Sequence, residues 1–240
     1  MKLACVIPCY NESKRLDLAT WISIEAKYRD VELFFVNDGS TDNTKDIIED
    51  LANRFSRVHL IQLGENQGKA GAVRQAMLQL SISDFDYVGY LDADLATPFE
   101  EFYRIAVEAI TSNYNLCMGA RVKLLGSGIK RNERRHFFSR IIITFYNAIF
   151  GLAIYDTQCG CKVFKRSLIE PLFGQEFCSN WMFDMELFIR YQNKFGSLEG
   201  VREIALERWE EIGESKMRLK DFMLVPINFC KIFYQYKLSR

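Results

Sequence analysis

Histidine is nearly absent: His59 and His136 are the only two among 240 residues. Chemistry built on a histidine base, or on a metal held by several imidazoles, is poorly supplied, which disfavours many hydrolase readings. Net charge is also lacking. The 31 Lys and Arg balance 31 Asp and Glu, so no global field points to nucleic acid as a partner. No apolar run reaches the ~18–20 residues of a membrane span. The longest stretches are broken by Asn147 and by Pro226 and Asn228, which predicts a soluble or peripheral protein. The seven cysteines are scattered, and Cys159-x-Cys161 lacks the second pair that a zinc tetrahedron needs. An odd cysteine set without a secretory leader reads as reduced thiols. The expected location is cytoplasmic, peripheral at the cytoplasmic face of a membrane.

What is present is an ordinary globular balance, 49% apolar and 26% charged residues, in a length that suits one α/β domain. Leu3 to Cys9, Val31 to Val36, Val58 to Leu63, Tyr87 to Leu91 and Leu116 to Ala120 read as strands, the first as one covered on both faces. Between them the pattern predicts helices opening at Asn11-Glu12-Ser13, at an Asp42-Asn43-Thr44 cap and at Lys69, with Pro98 in the first turn of a fourth. Repeated βα units imply a mainly parallel sheet flanked by helices, with ligands beyond the C-terminal strand ends. Three polar motifs fall on that rim: Tyr10-Asn11-Glu12, Asn37-Asp38-Gly39-Ser40 and Asp92-Ala93-Asp94.

Asp92 and Asp94, two residues apart after an apolar strand, suit one divalent cation, Mg²⁺ or Mn²⁺, which takes hard oxygens and leaves positions for phosphate and water. Two surface acids are the bland alternative. Asp38 after a buried strand, with Gly39 allowing close backbone approach, suits a base or ribose. Tyr10 offers a ring and Glu12 a carboxylate to the same nucleoside. Lys69 at a helix start faces a phosphate or simply caps the helix. Residues 121 to 140 hold seven Lys or Arg against the single acid Glu133, and an apolar stretch from Phe137 to Tyr155 follows. Basic residues beside bulky apolar ones, here and near the C-terminus, suit an anionic membrane surface. Core packing or a homodimer interface competes for the same apolar faces.

Together, Ile-Pro-Cys-Tyr-Asn-Glu at 7–12, Asn-Asp-Gly-Ser-Thr-Asp at 37–42, Asn-Gln-Gly-Lys at 66–69, Asp-Ala-Asp at 92–94 and Gly-Ala-Arg at 119–121 resemble family 2 glycosyltransferases. Asp156-Thr157-Gln158-Cys159-Gly160-Cys161-Lys162, Phe183-Asp184-Met185-Glu186-Leu187 and Trp209-x-x-Ile212-x-x-Ser215-Lys216 are similar to segments of the polyprenyl-phosphate branch, its dolichyl-phosphate β-glucosyltransferases above all. The resemblance implies the GT-A fold and an inverting reaction on a nucleotide sugar. It implies donor contacts at Pro8, Tyr10, Glu12, Val36, Asp38, Lys69, Asp92 and Ala93, and metal ligation by Asp92 and Asp94. Arg121 and Lys216 join the two aspartates as catalytic groups. Arg121, Arg140 and Gln158 fall to the acceptor phosphate, and Asp184 and Glu186 to a sugar or acceptor contact. Two departures from the mannosyl branch, Ala96 in place of Gln and Glu210 in place of Arg, favour UDP-glucose over GDP-mannose.

The resulting expectation is transfer of a hexose, glucose first, from a nucleotide sugar to a polyprenyl or dolichyl phosphate at a membrane surface. Residues 1–216 form the catalytic domain, 1–120 its donor half and 121–216 its acceptor half, with an amphipathic helix over 217–240. The competing readings are a family 2 enzyme acting on a saccharide or glycan lipid, with Asp184 or Glu186 as base, and a catalytically silent nucleotide-sugar-binding membrane scaffold.

Overall fold

The computed structural model describes residues 2–130, 133–211 and 219–238, with side chains described except at 133–135, 138 and 219–224. The first half alternates β1 (Leu3–Cys9), α1 (Leu18–Lys27), β2 (Val31–Asn37), α2 (Thr44–Arg54), β3 (Val58–Gln62), α3 (Gly68–Ser81), β4 (Tyr87–Leu91), α4 (Phe99–Thr111) and β5 (Leu116–Ala120). The second half adds β6 (Gly128–Lys130), α5 (Glu133–Phe150), β7 (Cys161–Lys165), α6 (Ile169–Phe173), α7 (Phe183–Phe195), β8 (Val201–Ala205), β9 (Arg208–Glu210) and α8 (Leu219–Phe233). A π-helical turn, Tyr234–Leu238, continues α8.

Seven strands form one sheet in the order β3-β2-β1-β4-β7-β5-β8. All neighbours run parallel except β7, which is antiparallel to both β4 and β5. The sheet is two-sided, as the unbroken apolar strands require. Ala4 and Val6 of β1 face a core built with α3, α5, α6 and α7. Leu3, Cys5 and Ile7 face the opposite core with α1, α2 and α4. A separate parallel ribbon pairs β6 with β9, and the Glu210 N–H bonds the Ala96 carbonyl at 3.0 Å. The ribbon is thereby tied to the loop after β4.

The expected helix at Asn11 starts later. Asn11 has φ 51°, a left-handed turn that Asn tolerates and a helix start does not. The chain makes a tight turn on the Glu12 carbonyl before Asp17 caps α1 by accepting the Thr20 N–H at 3.1 Å. Pro98 stands one position outside α4, as its N-cap. The expected helix near the C-terminus is present as α8, and Phe229 packs against Phe145 of α5 with ring centroids 5.3 Å apart.

Candidate active site

The rim motifs do converge. The ends of β1, β2, β4 and β5 and the start of α3 enclose a cleft of about 440 Å³, lined among others by Tyr10, Glu12, Asp38, Lys69, Asp92 and Asp94. Pro8, Ala93 and Arg121 line it as well. Loops from different strands are stitched together beneath it. The Asn11 side chain accepts the Thr41 N–H at 2.8 Å, and the Asp42 carboxylate accepts from Thr44 N–H at 3.0 Å and from the Ser13 hydroxyl at 2.6 Å. Tyr10 is left exposed at the mouth, while Glu12 is buried and paired with Arg15 at 2.7 Å.

Asp38 is buried and has a structural task within the cleft wall. Its Oδ1 accepts the Gln67 N–H at 2.7 Å, which fixes the turn into α3. Burial raises its carboxyl, partly offset by hydrogen bonds from the Gln67 and Gly68 N–H groups. Gly39, at φ 66°, has no room for a side chain, since a Cβ would meet the Asn66 nitrogen at 2.8 Å. The α3 start is thus pressed against the end of β2, and Lys69 is delivered to the cleft. Its Nζ lies 2.5 Å from Asp92 Oδ1. Burial lowers the Lys69 pKa, but the charges of Asp92, Asp184 and Asp94 outweigh it, and the net shift is upward.

Asp94 accepts the Ala96 N–H at 3.1 Å. Burial, then repulsion from Asp92, raises its carboxyl. A pair of repelling carboxylates in one cleft gains from a cation between them. Among the described residues no group of three or more His, Cys, Asp or Glu converges on one point. Asp92 and Asp94 offer hard oxygens of the kind that Mg²⁺ or Mn²⁺ takes, with phosphate and water to complete the shell.

Arg121 separates the cleft from a second cavity of about 20 Å³, which would have to open to admit a phosphate, and lines both. Its guanidinium holds Asp156 through two bonds of 2.7 Å, Nε to Oδ2 and Nη2 to Oδ1, and lies over the Trp209 ring at 5.3 Å. Ser139, Arg140, Tyr155 and Gln158 line the second cavity. Arg140 gives Nη1 to the Tyr155 carbonyl at 2.5 Å and stacks 4.1 Å from the centre of that ring.

The sequence profile of glycosyl transferase family 2 matches residues 4–173. This chain belongs to glycosyl transferase family 2. A dolichyl-phosphate beta-glucosyltransferase of Saccharomyces cerevisiae is 33% identical over 266 residues, covering 97% of this chain and 76% of the yeast protein. One from Trichomonas vaginalis is 31% identical, covering 97% of this chain and 71% of its own length. The fold matches glucosyl-3-phosphoglycerate synthase of Mycobacterium tuberculosis, solved with Mn²⁺, UDP and glucosyl-3-phosphoglycerate, at a TM-score of 0.72 and 16% identity. That match covers 98% of this chain and 80% of the synthase, and it establishes the GT-A architecture. The same synthase has also been crystallised with Mg²⁺ and UDP.

Within this family 2 fold, some expected site residues do not line the cleft. Val36 is buried in β2 and does not line it; its backbone pairs with Pro8. Asp184 and Glu186, expected as sugar or acceptor contacts, are buried on α7. Lys162 Nζ lies 2.5 Å from Asp184 Oδ1, and the Tyr90 hydroxyl bonds the same oxygen. Glu186 accepts the Cys178 and Ser179 N–H groups at 3.1 and 3.2 Å and the Tyr236 hydroxyl at 3.1 Å. Both carboxylates serve internal partners, as buried charges must. Lys216 lies outside the described residues. Asp156, Gly160 and Trp209 were missed as working parts, although all three stand in the motifs that carry the resemblance. Their roles depend on partners 35, 68 and 88 positions away in sequence (Arg121, Asp92 and Arg121).

Proposed function

We propose that this chain transfers glucose, with inversion at the anomeric carbon, from UDP-glucose to the phosphate of a polyprenyl phosphate at a membrane surface. The observation that carries this reading is the joining of two compartments at Arg121. One holds the Asp92, Asp94 and Lys69 charges, and the other is lined by Arg140, Ser139 and Gln158. A hydroxyl acceptor needs a base, whereas a phosphate is already an anion and needs cationic and hydrogen-bonding hosts. The carboxylate in the second compartment, Asp156, is held by Arg121. The two acids that a saccharide acceptor would call on, Asp184 and Glu186, are engaged internally. The names of the relatives point the same way.

In this scheme Tyr10, Glu12 and Asp38 form the nucleoside end of the cleft and Lys69 its diphosphate end. Asp92 and Asp94 would hold a divalent cation, which supplies charge neutralisation to the leaving diphosphate. Lys69 adds a positive charge beside the same group. Arg121 and Arg140 align the acceptor phosphate so that one of its oxygens faces the anomeric carbon. A bond forms there as the bond to UDP breaks, and no proton has to be removed. Residues 1–120 act as the donor half and 121–216 as the acceptor half.

The lipid part of the acceptor suits the apolar face beside the second cavity. Among the described residues no helix is long and apolar enough to cross a membrane. Yet Phe137, Ile141 and Phe145, four residues apart on α5, are 64%, 52% and 58% exposed. One stripe of large apolar side chains leading from Arg140 fits a peripheral contact with lipid.

The test is a donor and acceptor panel on the purified protein with Mn²⁺. UDP-glucose with a short polyprenyl phosphate is expected to give a product with the mass of a polyprenyl phosphoglucose. Transfer from GDP-mannose alone would overturn the donor, and transfer to a saccharide but not to the lipid phosphate would overturn the acceptor.

A further inference from the structure

Glu203 lies on β8, at the edge of the sheet, and no step described so far uses it. Its two carboxylate oxygens accept two successive backbone N–H groups, Tyr155 at 2.8 Å and Asp156 at 2.9 Å. Those two residues belong to the irregular segment between α5 and β7. Such a segment has no ladder to satisfy its N–H groups, so a side chain must do it. The same two residues are the ones that hold the arginines. Tyr155 takes the Arg140 guanidinium on its carbonyl and its ring face. Asp156 takes the Arg121 fork, and its Oδ2 also accepts the Arg121 N–H at 3.0 Å. One carboxylate on the sheet thus fixes a two-residue shelf, and the shelf fixes both cations.

Burial raises the Glu203 carboxyl, and the hydrogen bonds from the Tyr155 and Asp156 N–H groups offset part of that rise. Both Glu203 oxygens are taken by this one pair of neighbouring N–H groups, so the side chain is fitted to the shelf. Arg140 lowers it again through its charge, which places Glu203 in electrostatic contact with the cation that it helps to aim.

We propose that Glu203 is a positioning residue for acceptor recognition: through the Tyr155–Asp156 shelf it sets Arg140 and Arg121 at the spacing that one phosphate bridges. The proposal rests on the acceptor reading given above, and it adds a residue on a different strand with no contact to the substrate itself. The shelf is rigid only while both N–H groups share one carboxylate. In Glu203→Gln one oxygen becomes an amide N–H₂ that faces a donor, so one of the two bonds is lost with almost no change in volume.

Steady-state kinetics with UDP-glucose, Mn²⁺ and a short polyprenyl phosphate test this. Glu203→Gln is expected to raise the acceptor KM about tenfold, the low end of what an indirect support residue contributes. The donor KM and kcat should change less than the acceptor KM, because the shelf reaches the donor cleft only through Arg121, which keeps its paired bonds to Asp156. A purely structural role would instead lower the active fraction and the melting temperature and leave both KM values alone. Combined with Arg140→Ala, the two effects should multiply to less than their product, since both act on one contact. Wild-type acceptor KM in Glu203→Gln beside an impaired Arg140→Ala overturns the positioning role alone, as does strict multiplicativity. Wild-type acceptor KM in Arg140→Ala overturns the acceptor reading itself, and the positioning role falls with it.

Discussion

Asp92 rests on Gly160 so closely that no side chain fits between them. A Cβ at position 160 would stand 1.9 Å from Asp92 Oδ2 and 2.4 Å from its Cγ, and the Asp92 N–H bonds the Gly160 carbonyl at 3.1 Å. The strand end that carries Asp92 and Asp94 is therefore shaped by the loop before β7. Gly160→Ala should push the carboxylate aside and break its 2.5 Å contact with Lys69. A misplacement of about 1 Å in such a group lowers turnover ~100-fold. The expected variant is folded by circular dichroism and nearly inactive. Wild-type kcat in Gly160→Ala would mean that the position of Asp92 is not critical.

Asp94 should be metal-sensitive, because burial and the Asp92 charge together disfavour its ionised form and a bound cation would offset that penalty. Asp94→Asn is expected to lower kcat by orders of magnitude and to remove the gain in UDP affinity that Mn²⁺ produces. Calorimetry with UDP, with and without Mn²⁺, reads the second effect without relying on turnover. Unchanged metal-dependent UDP binding in the variant would move the cation elsewhere.

The first five strands and the rim that they form were legible because a buried parallel strand leaves an unbroken apolar run and its ligand groups follow at once. The antiparallel β7 was not. Its residues, Cys161–Lys165, carry no mark of direction, and its place between β4 and β5 is set by packing. Asp184 and Glu186 were read as sugar or acceptor contacts because the segment Phe183 to Leu187 resembles one of the family's motifs. The partners that hold these two carboxylates, Lys162, Tyr90 and Tyr236, stand 22, 94 and 50 positions away and leave no local mark. The late start of α1 turns on a single left-handed residue, Asn11, whose conformation is imposed by its bonds to Ser40 and Thr41 across β2. Local pattern carried the parallel frame, and long-range pairing decided which polar residues are free to act.

The α5 stripe gives a membrane test. Phe137, Ile141 and Phe145 lie on one face, and an exposed apolar row of this kind favours insertion at a lipid interface. Wild-type protein should sediment with anionic vesicles at low salt. Phe137→Ser with Ile141→Ser should weaken that binding while leaving the melting temperature within a few degrees. If wild-type protein does not bind and sediments as a dimer that the double variant dissolves, the stripe is a subunit interface.

Arg140 offers the sharpest separation of acceptor from donor. Its guanidinium has one arm on the Tyr155 carbonyl and one face on the Tyr155 ring, which leaves its other N–H groups for the cavity that it shares with Arg121, Ser139 and Gln158. A planar fork can satisfy the carbonyl, the ring and a phosphate at once. A lysine ammonium keeps the charge but can meet only part of that set. Arg140→Lys should therefore raise the acceptor KM about tenfold, near 1.4 kcal/mol of lost recognition. UDP affinity by calorimetry should be unchanged, since Asp92, Asp94 and Lys69 lie in the other compartment. Arg121→Lys is expected to be worse. It loses a paired hold on Asp156 and disturbs the wall between both compartments, so donor and acceptor KM should rise together. An Arg140→Lys protein with normal acceptor kinetics and weakened UDP binding would assign this arginine to the donor diphosphate and move the acceptor site out of the second cavity.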